Sequence, residues 1–90
     1  MREIECVITG KVQRVMFRDF IQHKARALWL TGTVENLHNG TVRVIAHGPE
    51  EKPRTFIDCL HKGPFLARVG NVTVHWREPM ETFEDFTIAY

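Results

Sequence analysis

Ninety residues make one domain and leave no room for a second core. The chain is 43% hydrophobic and 26% charged, with 12 basic and 11 acidic residues and a net charge of +1. That balance lacks the electrostatic footprint of a general nucleic-acid binder but allows a local anion site. No apolar run nears the roughly 18–20 residues of a membrane span. Met1 to Glu5 alternates charged and apolar residues and has no secretory h-region.

Glu3 to Thr9 alternates, with Ile4, Cys6 and Ile8 on one face, which predicts a strand. Gly10 to Met16 reads as a loop. From Phe17 the period becomes helical, with Phe17, Phe20, Ile21, Lys24, Ala25 and Leu28 in one stripe that lasts until Gly32. Thr33 to Leu37 predicts a second strand, and Asn39-Gly40 a hairpin turn. Thr41 to Ala46 returns as a third strand, ended by Gly48-Pro49. Pro53 suits the first turn of a second helix, whose inward stripe is Phe56, Ile57 and Leu60 and whose stop is Gly63-Pro64. Val72, Val74 and Trp76 alternate in a fourth strand. Phe86, Ile88 and Tyr90 predict a short last one.

The order is β-α-β-β-α-β plus a terminal strand. Each helix has a single apolar stripe, so both must cover one face of a mostly antiparallel sheet of four to five strands. This is the ferredoxin-like split β-α-β arrangement of the α+β class, and it carries no function by itself.

The chemistry is expected on Gly10-Lys11-Val12-Gln13-Arg14-Val15-Met16-Phe17-Arg18, which joins a strand to a helix start. Unpaired N–H groups and the macrodipole favour an anion there. A guanidinium at Arg18 can grip two phosphate oxygens together. The stretch is no Walker A loop, because no Ser or Thr follows Lys11. Asn36, near the end of the second strand, offers an uncharged amide that can orient a water. Local reasoning stops at an anion site.

The stretch GKVQRVMFR resembles the first signature of the acylphosphatase family, G-x-V-Q-G-V-x-F-R. LTGTVENLHNGTVRVIAHG resembles the second, and GPFLARVGNV and FEDFTI resemble the family's tail. The resemblance implies an enzyme that hydrolyses acyl phosphates to a carboxylate and inorganic phosphate. It implies that Arg18 binds the phosphate and Asn36 positions the attacking water. The backbone of Lys11, Val12, Gln13, Arg14, Val15 and Met16 would cradle the phosphate. No metal, cofactor or covalent intermediate is implied. The chain departs from the pattern at Arg14, where the family has glycine. A positive φ there would cost about 1–2 kcal/mol. The side chain would either add a second cation to the site or overhang it.

Two other readings compete. One is a non-catalytic or weakly active phosphate-binding module, or the carbamoyl-phosphate-cleaving module of a hydrogenase-maturation protein. The other is an RNA-binding β-α-β-β-α-β domain, which needs aromatic residues on exposed strand faces. The positions expected to be exposed, Glu3, Glu5, Thr41 and Arg43, are not aromatic.

The five histidines, His23, His38, His47, His61 and His75, show no metal-ligand spacing and are expected at the surface. Trp29, where the family more often has glycine, is expected to pack at the sheet edge. Phe83, Phe86 and Tyr90 are expected in the core. Cys6 and Cys59 are expected as buried free thiols. The resulting expectation is a cytoplasmic monomer acting on a small-molecule acyl phosphate, with no nucleic-acid or membrane partner.

Overall fold

Alternation along the first strand does what the pattern predicts: Ile4, Cys6 and Ile8 are fully buried on one face. The computed structural model describes residues 2–13, 16–49, 51–64 and 67–89. Its elements are β1 (Arg2–Lys11), α1 (Phe17–Ala27), β2 (Thr31–Asn36), β3 (Val42–Gly48), α2 (Glu51–Lys62), β4 (Arg68–Arg77) and β5 (Phe86–Ala89). The five-stranded sheet has the order β4-β1-β3-β2-β5. Its neighbours are antiparallel except β2 and β5, which run parallel. This is the expected ferredoxin-like arrangement.

The helix stripes complete the core. Phe17, Ile21 and Ala25 of α1 and Phe56 and Leu60 of α2 join Val34, Val42, Val44, Ala46 and Phe86 in one hydrophobic cluster. Lys24 stays in the α1 stripe by laying its ammonium 5.7 Å from the centre of the Phe20 ring. Two glycines are fixed by backbone contact. A Cβ on Gly10 (φ 120°) would lie 2.1 Å from the Arg68 carbonyl oxygen, at a register shift where β1 bulges against β4. A Cβ on Gly32 (φ 148°) would lie 1.8 Å from the Ile45 carbonyl oxygen.

The strand order forces an unusual connection. β4 and β5 lie at opposite edges of the sheet, so residues 78–85 must cross its whole width. Four strand spacings are about 19 Å, and eight extended residues reach about 26 Å, so the path is nearly direct. It runs over the face that the helices leave open, and this overturns several expectations. Glu3, expected at the surface, is 1% exposed. Its carboxylate accepts hydrogen bonds from His47 Nε2, Arg77 Nε and the Met80 N–H. His47, expected as a surface imidazole, is buried beside it, with the Phe83 ring packed edge-on at 5.0 Å. Phe83 therefore packs from the crossing segment rather than from a strand.

Other departures are local. β1 continues through Lys11, so the loop is shorter than expected, and β3 starts at Val42 rather than Thr41. Trp29 does not pack at the sheet edge: it is 87% exposed with φ 61°. Both cysteines are free; Cys6 is buried as expected, while Cys59 is half-buried. The expected place of Tyr90 in the core lies outside the described residues.

Candidate active site

The bulge at Gly10 turns the chain off the end of β1 and points it toward the start of α1. Val12, 1% exposed, anchors the loop in the core. Gln13 then ties it down. Its side-chain amide donates to the Leu37 and Thr41 carbonyls, both at 2.9 Å. These carbonyls belong to the β2–β3 turn, where Asn39 Oδ1 accepts from the Thr41 hydroxyl at 2.6 Å. The loop and the end of β2 are thus held by one side chain.

Met16 precedes α1 in left-handed conformation, φ 59° and ψ 26°. For a residue with a side chain this costs on the order of 1–2 kcal/mol. It also provides no side-chain cap for the first-turn N–H groups. The expectation of positive φ at Arg14 lies outside the described residues, as does the placement of Val15. Among the described residues of the loop, positive φ falls at Gly10 and Met16.

Arg18 and Asn36 line one cavity of about 110 Å³. Arg18 comes from the first turn of α1 and Asn36 from the last position of β2, opposite Val42. Val12, Phe17 and Ile88 form apolar wall, and Met16 and Asp19 stand beside Arg18. Lys11, the last residue of β1, is exposed and pairs with Arg68 in register, away from the cavity lining. Asn36 Oδ1 is buried and has no hydrogen-bond partner among the described residues. Leaving a buried acceptor unmet costs about 1–3 kcal/mol. Among the described residues, no three His, Cys, Asp or Glu side chains come together as metal ligands.

Sequence reasoning missed the side-chain role of Gln13 and the cavity positions of Asp19 and Ile88. Gln13 bonds to carbonyls 24 and 28 residues away, which no local pattern reports. Asp19 had a signal, since the residue after Arg18 shares its helical turn.

A model of the acylphosphatase family matches residues 4–88. The chain belongs to the acylphosphatase family. It is 40% identical over 87 residues to an acylphosphatase of Salinibacter ruber, covering 97% of this chain and 92% of that one. The crystal structure of acylphosphatase from Bacillus subtilis matches with a TM-score of 0.97 and 31% identity, over 100% of both chains. A part of HypF, in its full-length crystal structure in phosphate- and nucleotide-bound form, matches at a TM-score of 0.88 and 27% identity. That match covers 100% of this chain and 12% of the longer protein. Membership in the family makes the protein an enzyme, one that hydrolyses acyl phosphates. No helix among the described residues is long and apolar enough to cross a membrane.

Proposed function

We propose that hydrolysis takes place in the Arg18–Asn36 cavity, with Arg18 gripping the phosphoryl oxygens and Asn36 holding the attacking water. A guanidinium offers two parallel N–H donors to a phosphoryl group. The backbone N–H groups of residues 11–16, with those of the first turn of α1, complete the phosphate-binding loop. Asn36 Oδ1 accepts a hydrogen bond from water and directs its oxygen to phosphorus. The water oxygen bonds to phosphorus as the phosphorus–oxygen bond to the acyl group breaks. The electron pair leaves with the carboxylate, and the water proton passes to a phosphoryl oxygen. A carboxylate is a weak base and leaves without a general acid. Positioning and fixed donors then supply the acceleration.

One observation carries this reading. An asparagine before a turn ordinarily spends its amide on nearby backbone, yet Asn36 Oδ1 is buried, without a partner among the described residues, in the wall that it shares with Arg18. Phosphate release from benzoyl phosphate tests it. Arg18→Ala is expected to lower kcat/KM on the order of 10³-fold and to weaken binding of inorganic phosphate. Asn36→Ala is expected to lower kcat about 10²-fold while phosphate affinity stays within about threefold. Full activity in either variant, or equal loss of phosphate affinity in both, would sink the assignment. Arg14 is read as tolerated in the loop, so Arg14→Gly should stay within about threefold of the parent rate. A tenfold gain, on the order of 1.4 kcal/mol, would instead mean that its side chain hinders the site.

The same reading makes the protein a cytoplasmic monomer, with a small-molecule acyl phosphate as its partner and no nucleic acid. For the compartment its support is the pair of free thiols, one of them Cys6, whose pKa burial pushes up to about 12, which keeps it unreactive.

A further inference from the structure

The hydrolytic reading gives tasks to Arg18, Asn36 and the loop N–H groups. It leaves Met16, Asp19 and Ile88 on the cavity wall without one. With the phosphoryl end fixed at Arg18, the acyl group must extend along what remains of the cavity. Two of these three side chains are apolar: Met16 is 74% exposed at the rim, and Ile88 is half-buried. The third lining residue, Asp19, follows the phosphate grip by one position and is acidic. Asp19 is exposed, and among the described residues it has no ion-pair or hydrogen-bond partner.

A carboxylate in the first turn of a helix is favoured by the macrodipole, and this accounts for an acidic residue there. It does not account for an acidic residue among those that line a cavity built for a phosphate. Near an anion the charge is a liability unless it discriminates between substrates. The geometry points to Asp19 as the residue that sets which acyl groups the site accepts. It repels acyl phosphates that bear a second carboxylate, and with Met16 and Ile88 it leaves uncharged apolar acyl groups as the preferred class. This rests on the Arg18–Asn36 cavity being the site of hydrolysis. Repulsion between two like unit charges several ångströms apart in a solvated cavity changes a rate constant on the order of fivefold, about 1 kcal/mol.

Butyryl phosphate and succinyl phosphate form a suitable pair, because they differ in a terminal methyl against a terminal carboxylate. The quantity to measure is the ratio of their kcat/KM values, which cancels partial loss of folding in any variant. The parent is expected to favour butyryl phosphate, and Asp19→Asn to shrink that ratio about fivefold. Raising ionic strength from about 0.02 to about 0.5 M should shrink it in the parent and leave it flat in the variant, since salt screens exposed charges. An unchanged ratio in Asp19→Asn, or a parent that favours succinyl phosphate, overturns the inference and leaves the cavity reading standing. Turnover of neither compound by the parent overturns the cavity reading, and this inference with it.

Discussion

At the Asn36 end of the sheet, a buried amide oxygen and the Asp19 carboxylate have no partner among the described residues, and the backbone strains through positive φ at Met16. At the Glu3 end, roughly 20 Å away along β1, a buried carboxylate accepts three hydrogen bonds. Even Arg2, whose Nε lacks a hydrogen bond, lays its guanidinium 5.4 Å from the centre of the Trp76 ring. The first region keeps bonding capacity in reserve, which suits a ligand. The second uses it to hold the crossing segment 78–85 on the sheet. On the proposed reading, the contrast separates residues that cost stability and serve chemistry from residues that serve stability alone.

The first expected effect lies at the Asn36 end and concerns activity. Asn36→Ala should remove about 10² in kcat yet leave stability level or raise it by up to about 1 kcal/mol, because an unmet buried acceptor is deleted. Urea unfolding beside the kinetics checks this. A fall in stability of more than about 2 kcal/mol would mean that Asn36 is structural and the contrast is false.

The second effect lies at the Glu3 end and is reversed in kind. Glu3→Leu leaves His47 and Arg77 without their shared partner and should cost about 3–5 kcal/mol. Specific activity per folded molecule should be unchanged. Loss of activity in a variant shown to be folded would couple the two ends.

A smaller effect is a pH dependence from the same carboxylate. Burial works to raise the Glu3 pKa, but the bonds from His47, Arg77 and the Met80 N–H together outweigh it and hold the group below the usual glutamate value. A carboxylate depressed in the folded state stabilises fully above its unfolded value of about 4.3, and that stability goes as pH falls below it. Unfolding free energy should therefore drop on acidification below about pH 4, with a shallower slope in Glu3→Gln. Equal slopes in the two proteins would place the acid sensitivity elsewhere.

The smallest effect concerns Trp29, which is strained at φ 61° and 87% exposed. Trp29→Gly should stabilise by about 1 kcal/mol, since glycine takes positive φ without a Cβ clash. A thermal shift of a few degrees upward is the expected reading. A downward shift would show that the indole contributes packing that its exposure conceals.

Much of this was legible beforehand because it depends on local pattern. Ile4, Cys6 and Ile8 alternate whatever lies beside them. The stripe from Phe17 to Ala25 recurs at helical spacing, and Asn39-Gly40 turns the chain by its own conformational preference. Arg18 and Asn36 could be chosen as candidates because their segments carry recognisable signatures. Gln13 could be placed in the loop, but the carbonyls that it braces could not be found.

What stayed hidden depends on register and strand order. Glu3 alternates correctly as an outward residue, and it is outward with respect to the helices. It is buried because β4 and β5 lie at opposite edges, so that the chain must cross above it, and because Glu3 faces both His47 and Arg77 across the ladders. Spacing over a few residues carries the elements, the helix-covered core and the segments that resemble the family's signatures. Strand order and register decide that Asn36, its acceptor unmet among the described residues, shares a cavity with Arg18, that Asp19 joins them, and that a glutamate is buried at the far end. Each of these is set by which distant backbone or side chain arrives alongside, and a linear pattern does not encode that arrival.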